Sequence, residues 1–161
     1  MSAICCRVAD YRNSRDRQAI LALMDCYASD PMGGAEPLHD EVRARLCDAL
    51  QAQPGAVTVL AWQDEHAVGL INAFVGFSTF KARPLMNVHD VMVRPEHRRR
   101  GIAEAMITAV ADEARRRDCC KLTLEVLEGN HAARQRYLRS GFVDYQLKPE
   151  FGTARFMEKI L

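Results

Sequence analysis

The chain has 161 residues, enough for one domain with a substantial core and too few for two ordinary ones. Its formal net charge of +1 argues against the strongly basic surface of a nucleic-acid-binding or membrane-surface protein. Hydrophobic residues make up 48% of the chain and charged residues 27%, an ordinary globular composition, and no apolar run is long enough to span a bilayer.

The N-terminal residues and the cysteines both indicate a reducing environment. The N-terminus lacks a charged segment followed by a long apolar one, so we expect no secretory signal and a cytoplasmic protein. The chain has six cysteines, and adjacent pairs such as Cys5–Cys6 and Cys119–Cys120 fit neither a zinc site nor a redox motif. We therefore expect free cysteines that act as small apolar residues, and no metal site.

The first half of the chain predicts a strand, two helices and a hairpin. Apolar spacing and turn residues give a strand at 4–8, a helix at 15–29 capped by Ser14, and a second helix at 38–52. Pro54 and Gly55 end the second helix. A strand at 57–62 and a longer one at 67–80 follow, joined by a turn at 63–66.

The second half predicts strands alternating with helices. A central strand at 86–93 precedes a helix at 102–117, an alternating strand at 121–126 and a short helix that ends near Ser140. The last two predicted strands cover residues 142–147 and 155–160. With antiparallel hairpins at both ends, this order predicts one mixed α/β domain over residues 1–161.

A basic turn connects the central strand to the long helix. Pro95 ends the strand, because proline donates no ladder hydrogen bond, and three arginines and Gly101 follow. The first N–H groups of a helix have no internal partner and carry partial positive charge. Gly101 and Ala103 are small enough to let a phosphate approach the backbone. The turn therefore predicts an anion site, although the arginines alone would also fit a solvated surface or a nucleic-acid patch.

Two motifs in order resemble those of the GNAT superfamily of N-acetyltransferases. The spacing Arg98-x-x-Gly101-x-Ala103 resembles its acyl-CoA pyrophosphate loop, and it lies between a strand and a helix as that motif requires. The segment from 124 to 142 resembles the second motif, in which a strand is followed by the positions matched here by Asn130, Ala133, Tyr137 and Gly141-Phe142. Residues 77–80, followed by His89-Asp90, are similar to the diamine (polyamine) acetyltransferase branch, which has two acidic residues where this chain has His89 and Asp90.

The resemblance implies a fold and a cofactor. It implies a GNAT-like α/β domain with a central, mostly antiparallel sheet, helices on both faces, and a bulge that splays the central strand from the parallel strand beside it. Acetyl-CoA would lie in that gap as the acetyl donor. The residues implied to bind it are Val91, Met92 and Val93 on the strand, Arg98, Arg99, Arg100, Gly101, Ile102, Ala103 and Glu104 in the turn, and Asn130 after it.

The resemblance also implies catalytic roles. Tyr137 would protonate the departing sulfur, which suits a phenol because it stays protonated at neutral pH. For the base that accepts the amine proton, the candidates by position are Asp90, His89 and Glu125, and we take Asp90. Asp90 could instead make a structural hydrogen bond, with the proton passing through water. Strand alternation places Asp90 and His89 on opposite faces, so only one of the two would face the acceptor. Asn130 could instead be a helix cap, and Tyr137 a core aromatic.

We therefore expect an acetyl-CoA-dependent N-acetyltransferase that acts on a small primary amine and forms a homodimer through exposed strand edges near the C-terminus. Alternatives are acetylation of a protein N-terminus or lysine, and a non-catalytic acyl-CoA-binding module. The near-neutral charge argues against nucleic acid as a partner.

Overall fold

The computed structural model describes residues 3–161. Residues up to Leu124 pack as one compact unit and Glu125–Leu161 as a second, and each is described by itself. The first unit contains the strands β1 (Ile4–Val8), β2 (Ala56–Gln63), β3 (His66–Ser78), β4 (Arg83–Val93) and β5 (Leu122–Leu124), and the helices α1 (Ser14–Ala28), α2 (Asp40–Ala52) and α3 (Ile102–Arg116). The prediction of one domain over residues 1–161 stays a prediction.

The five strands form one sheet in the order β1-β2-β3-β4-β5. The first three pairings are antiparallel, as hairpin connections require, and β4 pairs with β5 in parallel through the α3 crossover. This topology confirms the predicted mixed α/β sheet with a parallel pair at its end. The parallel pairing is short, because it joins only Met86–Val88 to Leu122–Leu124.

Helices cover both faces of the sheet. Ile20 and Leu23 of α1 pack with Leu60, Leu70 and Met92 of the sheet, and all five side chains are at most 2% exposed. Gly69, which precedes Leu70 in β3, faces α3 on the other side, where an added Cβ would lie 2.9 Å from Met106 Cε. Because strand residues alternate between faces, α1 and α3 lie on opposite sides of the sheet.

The second unit contains one helix, α4 (His131–Arg139), and a 3₁₀ turn at Pro149–Phe151. Gly141 follows α4 with a positive φ of 90°, as predicted for a glycine just after a helix. The strands predicted at 142–147 and 155–160 are wrong: the described residues there form no strand, and one backbone bond joins Ala154 N–H to Tyr145. A strand needs a neighbour that supplies a hydrogen-bond ladder, which an alternating pattern alone does not provide.

Two smaller predictions also need correction. The cap of α1 is Asn13 rather than Ser14, because the Asn13 side chain accepts hydrogen bonds from the N–H groups of Arg15 and Asp16. The strand predicted at 121–126 is shorter and forms only at Leu122–Leu124. Within residues 3–161, no helix is both long and apolar enough to cross a membrane.

Candidate active site

A β-bulge in β4 organises the candidate site. Asn72 of β3 pairs with Asp90, but the next residue, Ala73, pairs with Val88, so His89 is an extra residue in β4. A bulge bends its strand and interrupts the ladder locally. The pairing of β4 with β5 ends at Val88 and Leu124, directly before the bulge. The bulge that the family resemblance implies in the central strand is therefore confirmed.

The bulge leaves one edge of β4 without a strand partner from Asp90 to Val93. Arg94 donates its N–H to Val68 of β3 at 2.9 Å. Alternate residues of an antiparallel strand direct their backbone groups to the same neighbour, so Asp90 and Met92 also face β3. Val91 and Val93 consequently direct their N–H and C=O groups to the opposite side, where β5 no longer pairs.

The turn between β4 and α3 has the backbone geometry of an anion site. Arg99 and Gly101 adopt positive φ values of 64° and 76°, and Gly101 is the cap residue of α3. The first bond of α3 runs from Ala105 N–H to Gly101. The N–H groups of residues 102–104 precede that bond, so they have no partner within the helix. A Cβ added at Gly101 would meet nothing within 4 Å, which leaves room for a phosphate.

Arg98 links this turn to two other parts of the first unit. Its Nε donates to the carbonyl of Val93 at 3.1 Å, on the free side of β4. Its Nη2 donates to the Asp30 carboxylate at 2.6 Å, after the end of α1. The hydrogen bonds from Arg98 and from the Met32 N–H hold the pKa of the Asp30 carboxyl below its ordinary value, which keeps Asp30 charged.

Asp90 and His89 lie on the same face of the sheet, so the predicted alternation is wrong for these two residues. The His89 ring contacts Phe74 edge-on with centroids 5.5 Å apart, and the Asp90 carboxylate accepts a hydrogen bond from Asn72 at 3.0 Å. Asn72 and Phe74 are two residues apart on β3 and therefore share a face. The bulge causes this, because it shifts the alternation of β4 by one residue.

Tyr27, near the end of α1, completes the cluster around Asp90. Burial raises the pKa of the Tyr27 phenol above its ordinary value, and the nearby carboxylates of Asp90 and Asp30 raise it further. The phenol therefore stays protonated at neutral pH and can donate a hydrogen bond. Asp30 is already ion-paired with Arg98, so Asp90 is the carboxylate on this side of the sheet that suits an amine.

In the second unit, Asn130 and Tyr137 lie at the start and in the last part of α4. Asn130 is the cap of α4, and its Oδ1 accepts from the Ala133 N–H at 3.2 Å. The helix-cap reading of Asn130 is thus confirmed, and the capping bond leaves the two N–H donors on its Nδ2. Tyr137 is half-buried and packs edge-on against Phe142, with ring centroids 5.8 Å apart.

The structure thus brings together, in the first unit, Asp90, the free edge at residues 91–93 and the turn at residues 98–104. Asn130 and Tyr137 share the second unit. Sequence reasoning missed Tyr27, Asp30 and Asn72. A signal for Asn72 was present, since it is an amide within the otherwise apolar run of residues 68–75. Nothing in the sequence around Tyr27 and Asp30 indicated a role.

Two solved structures share this fold along almost all of the chain. A transcriptional regulator from Bacillus halodurans C-125 has a TM-score of 0.79 at 15% identity, covering 99% of this chain and 100% of that one. An aminoglycoside acetyltransferase from an uncultured soil metagenomic sample has a TM-score of 0.77 at 14% identity, covering 98% of this chain and 97% of that one. At these identities the likeness establishes the fold alone.

Sequence comparison adds a curated relative and a family. The chain is 35% identical over 82 residues to thialysine N-epsilon-acetyltransferase of Bos taurus, a stretch covering 51% of this chain and 48% of that protein. The chain thus spans about half the length of this curated relative. Residues 20–142 match the acetyltransferase (GNAT) family, a range that includes the bulge, the turn before α3, and α4. The chain therefore belongs to the GNAT family of acetyltransferases, which use acetyl-CoA as the acetyl donor.

Proposed function

We propose that this protein transfers the acetyl group of acetyl-CoA directly to a primary amine of a small molecule. The observation that carries the proposal is the bulge at His89, because it frees one edge of β4 next to the carboxylate of Asp90. A donor bound along that edge and an amine held by Asp90 would meet at the same point of the sheet.

The donor would be held mainly by backbone groups. The N–H groups from Arg98 to Glu104 would bind the pyrophosphate at the start of α3, where the helix dipole favours negative charge. The pantetheine arm would pair with Val91 and Val93 like an added strand, and Asn130 would donate to it from Nδ2. Bound acetyl-CoA supplies an electrophilic thioester, and the N–H of Val91 would hold its carbonyl oxygen. The N–H of Met92, the other residue that the family resemblance implied for this role, faces β3 instead.

Two side chains would then accept and donate the protons. The neutral amine forms a bond to the thioester carbon, and the bond from that carbon to sulfur breaks. Asp90 would accept the proton lost by the amine nitrogen, and Tyr137 would give a proton to the sulfur, so that free thiol leaves. An alkyl amine has a pKa near ~10 by analogy with lysine, so most of it arrives protonated. It would lose that first proton to water before attack, and Asp90 would accept the second proton as the amide forms.

The choice of a small amine rests on two observations. The Asp90 carboxylate lies near the Tyr27 phenol on the α1 side of the sheet, whereas the Asp30 carboxylate is ion-paired with Arg98. Two of the similar proteins are named as acetyltransferases of small amines, one for thialysine and one for aminoglycosides. We also propose a cytoplasmic location, which suits a chain whose six cysteines are all free.

Release of thiol from acetyl-CoA across a panel of amines tests the proposed function. We expect turnover with at least one small primary amine and mass-spectrometric detection of its N-acetyl product. Turnover only with peptides bearing a free N-terminus or lysine would favour a protein acceptor. Binding of acetyl-CoA with no thiol release for any amine or peptide would favour a non-catalytic acyl-CoA-binding module.

The cofactor turn is tested by Gly101→Val. The valine side chain would fill the space in which the pyrophosphate approaches the backbone, so calorimetry should find acetyl-CoA binding abolished. Gly141→Val is the matched control, because Gly141 also has a positive φ and open space at its Cβ. The control should show a comparable loss of thermal stability with affinity retained. Unchanged affinity in a folded Gly101→Val protein would contradict the assignment.

The acid is tested by Tyr137→Phe, which keeps the packing against Phe142 and deletes the hydroxyl. Proton transfer by a positioned group contributes about 10²–10⁴-fold, so kcat should fall by that order with acetyl-CoA affinity nearly constant. Phe142→Leu controls for disturbance of the ring contact. Full activity of Tyr137→Phe would mean that water or another group protonates the sulfur.

We also propose a homodimer. Large apolar side chains in the last 19 residues are mostly exposed, among them Val143, Leu147, Phe156 and Ile160. A second copy would remove these apolar side chains from water. Light scattering at high micromolar concentration should give twice the monomer mass. A monomer mass there would refute the dimer without affecting the proposed reaction.

A further inference from the structure

A chain of polar side chains crosses the α1 face of the sheet and ends at Asp90. The Tyr11 hydroxyl lies 2.9 Å from Thr58 Oγ1, and Thr58 donates to Asn72 Oδ1 at 2.6 Å. Asn72 Nδ2 donates in turn to Asp90 Oδ2 at 3.0 Å. Thr58 is 0% exposed and Asn72 3%, so water competes for neither side chain.

The direction of every hydrogen bond in this chain is fixed. Thr58 has one hydroxyl hydrogen and gives it to Asn72, so Tyr11 must be the donor in its contact with Thr58. Burial raises the pKa of the Tyr11 phenol, which keeps that donor protonated. Because Asn72 Oδ1 accepts from Thr58, its Nδ2 must point towards Asp90. Each donor in the series therefore bonds to the next residue towards the carboxylate, and Nδ2 of Asn72 also donates to Met24 Sδ at 3.3 Å.

The surroundings argue against a purely structural reason for this chain. The same face of the sheet is filled by apolar side chains such as Leu23, Leu60 and Leu70. Replacing a buried polar pair by apolar residues of similar size is often neutral or stabilising, so packing alone does not call for an amide at position 72. The buried amide of Asn72 bonds instead to Asp90, whose side chain is only partly buried.

We propose that Asn72 is a positioning residue for Asp90, with Thr58 holding its amide in the required orientation. The hydrogen bond from Asn72 occupies Oδ2 of Asp90 and so fixes the plane of the carboxylate. Oδ1 would then point towards the acceptor amine. Positioning a base in this way raises turnover without adding affinity for either substrate. This inference rests on the proposed function, since it takes Asp90 as the base.

A double-mutant cycle tests the inference. Asn72→Leu deletes the donor at nearly constant volume, and Asp90→Asn deletes the base. We expect Asp90→Asn to lower kcat by about 10²–10⁴-fold. Asn72→Leu should lower it about 10- to 100-fold, the effect of losing a hydrogen bond to a charged group, with acetyl-CoA affinity unchanged. In the Asp90→Asn background, Asn72→Leu should have no further effect.

Three outcomes would overturn the inference. Full activity of Asn72→Leu beside an impaired Asp90→Asn protein would show that Asp90 needs no positioning. The same fold-loss from Asn72→Leu in both backgrounds would indicate a structural role. Full activity of Asp90→Asn would remove the base of the proposed function and this inference with it. If Asn72→Leu fails to fold, the variant Thr58→Val/Asn72→Leu replaces both buried partners and enters the same cycle.

Discussion

The extra residue at His89 is the constraint on which the rest of the candidate site depends. It has two consequences that a regular strand could not combine. It stops the pairing of β4 with β5 at Val88, so that the backbone of Val91 and Val93 lacks a strand partner. It also moves Asp90 to the face on which His89 already lies, where Asn72 and Tyr27 surround it. One inserted residue thus produces both an unpaired strand edge and a carboxylate beside it.

Electrostatic contacts connect the two sides of this site within the first unit. Arg98 belongs to the anion-binding turn, yet it donates to Val93 on the free strand edge and to Asp30 after α1. Asp30 and Asp90 both lie near Tyr27, and both raise the pKa of its phenol. A phosphate that drew Arg98 towards the turn would compete with both of these contacts. The ion pair is partly exposed and therefore weak, so such a change would be energetically small.

Sequence patterns predicted most of the first unit because its elements carry strong local signals. Apolar periodicity located α3 and β4, and the basic turn with Gly101 located the start of α3. Prediction failed where the structure depends on a partner distant in the chain. The predicted C-terminal strands had an alternating pattern, but no neighbouring strand pairs with them. The face on which His89 lies depends on a bulge, and the bulge is visible only in the pairing of β4 with β3. The role of Asn72 could not be foreseen, since Thr58 and Asp90 approach it from other strands.

Hydrogen exchange of the β4 amides tests most directly whether the free edge receives the donor. The N–H groups of Asp90 and Met92 face β3 and serve as internal controls, already protected without ligand. Val91 and Val93 face the unpaired side and should exchange faster. Saturating acetyl-CoA should slow amide exchange at Val91 and Val93. It should leave the exchange rates of Asp90 and Met92 nearly unchanged. Equal exchange at Val91 and Val93 with and without saturating acetyl-CoA would contradict the account.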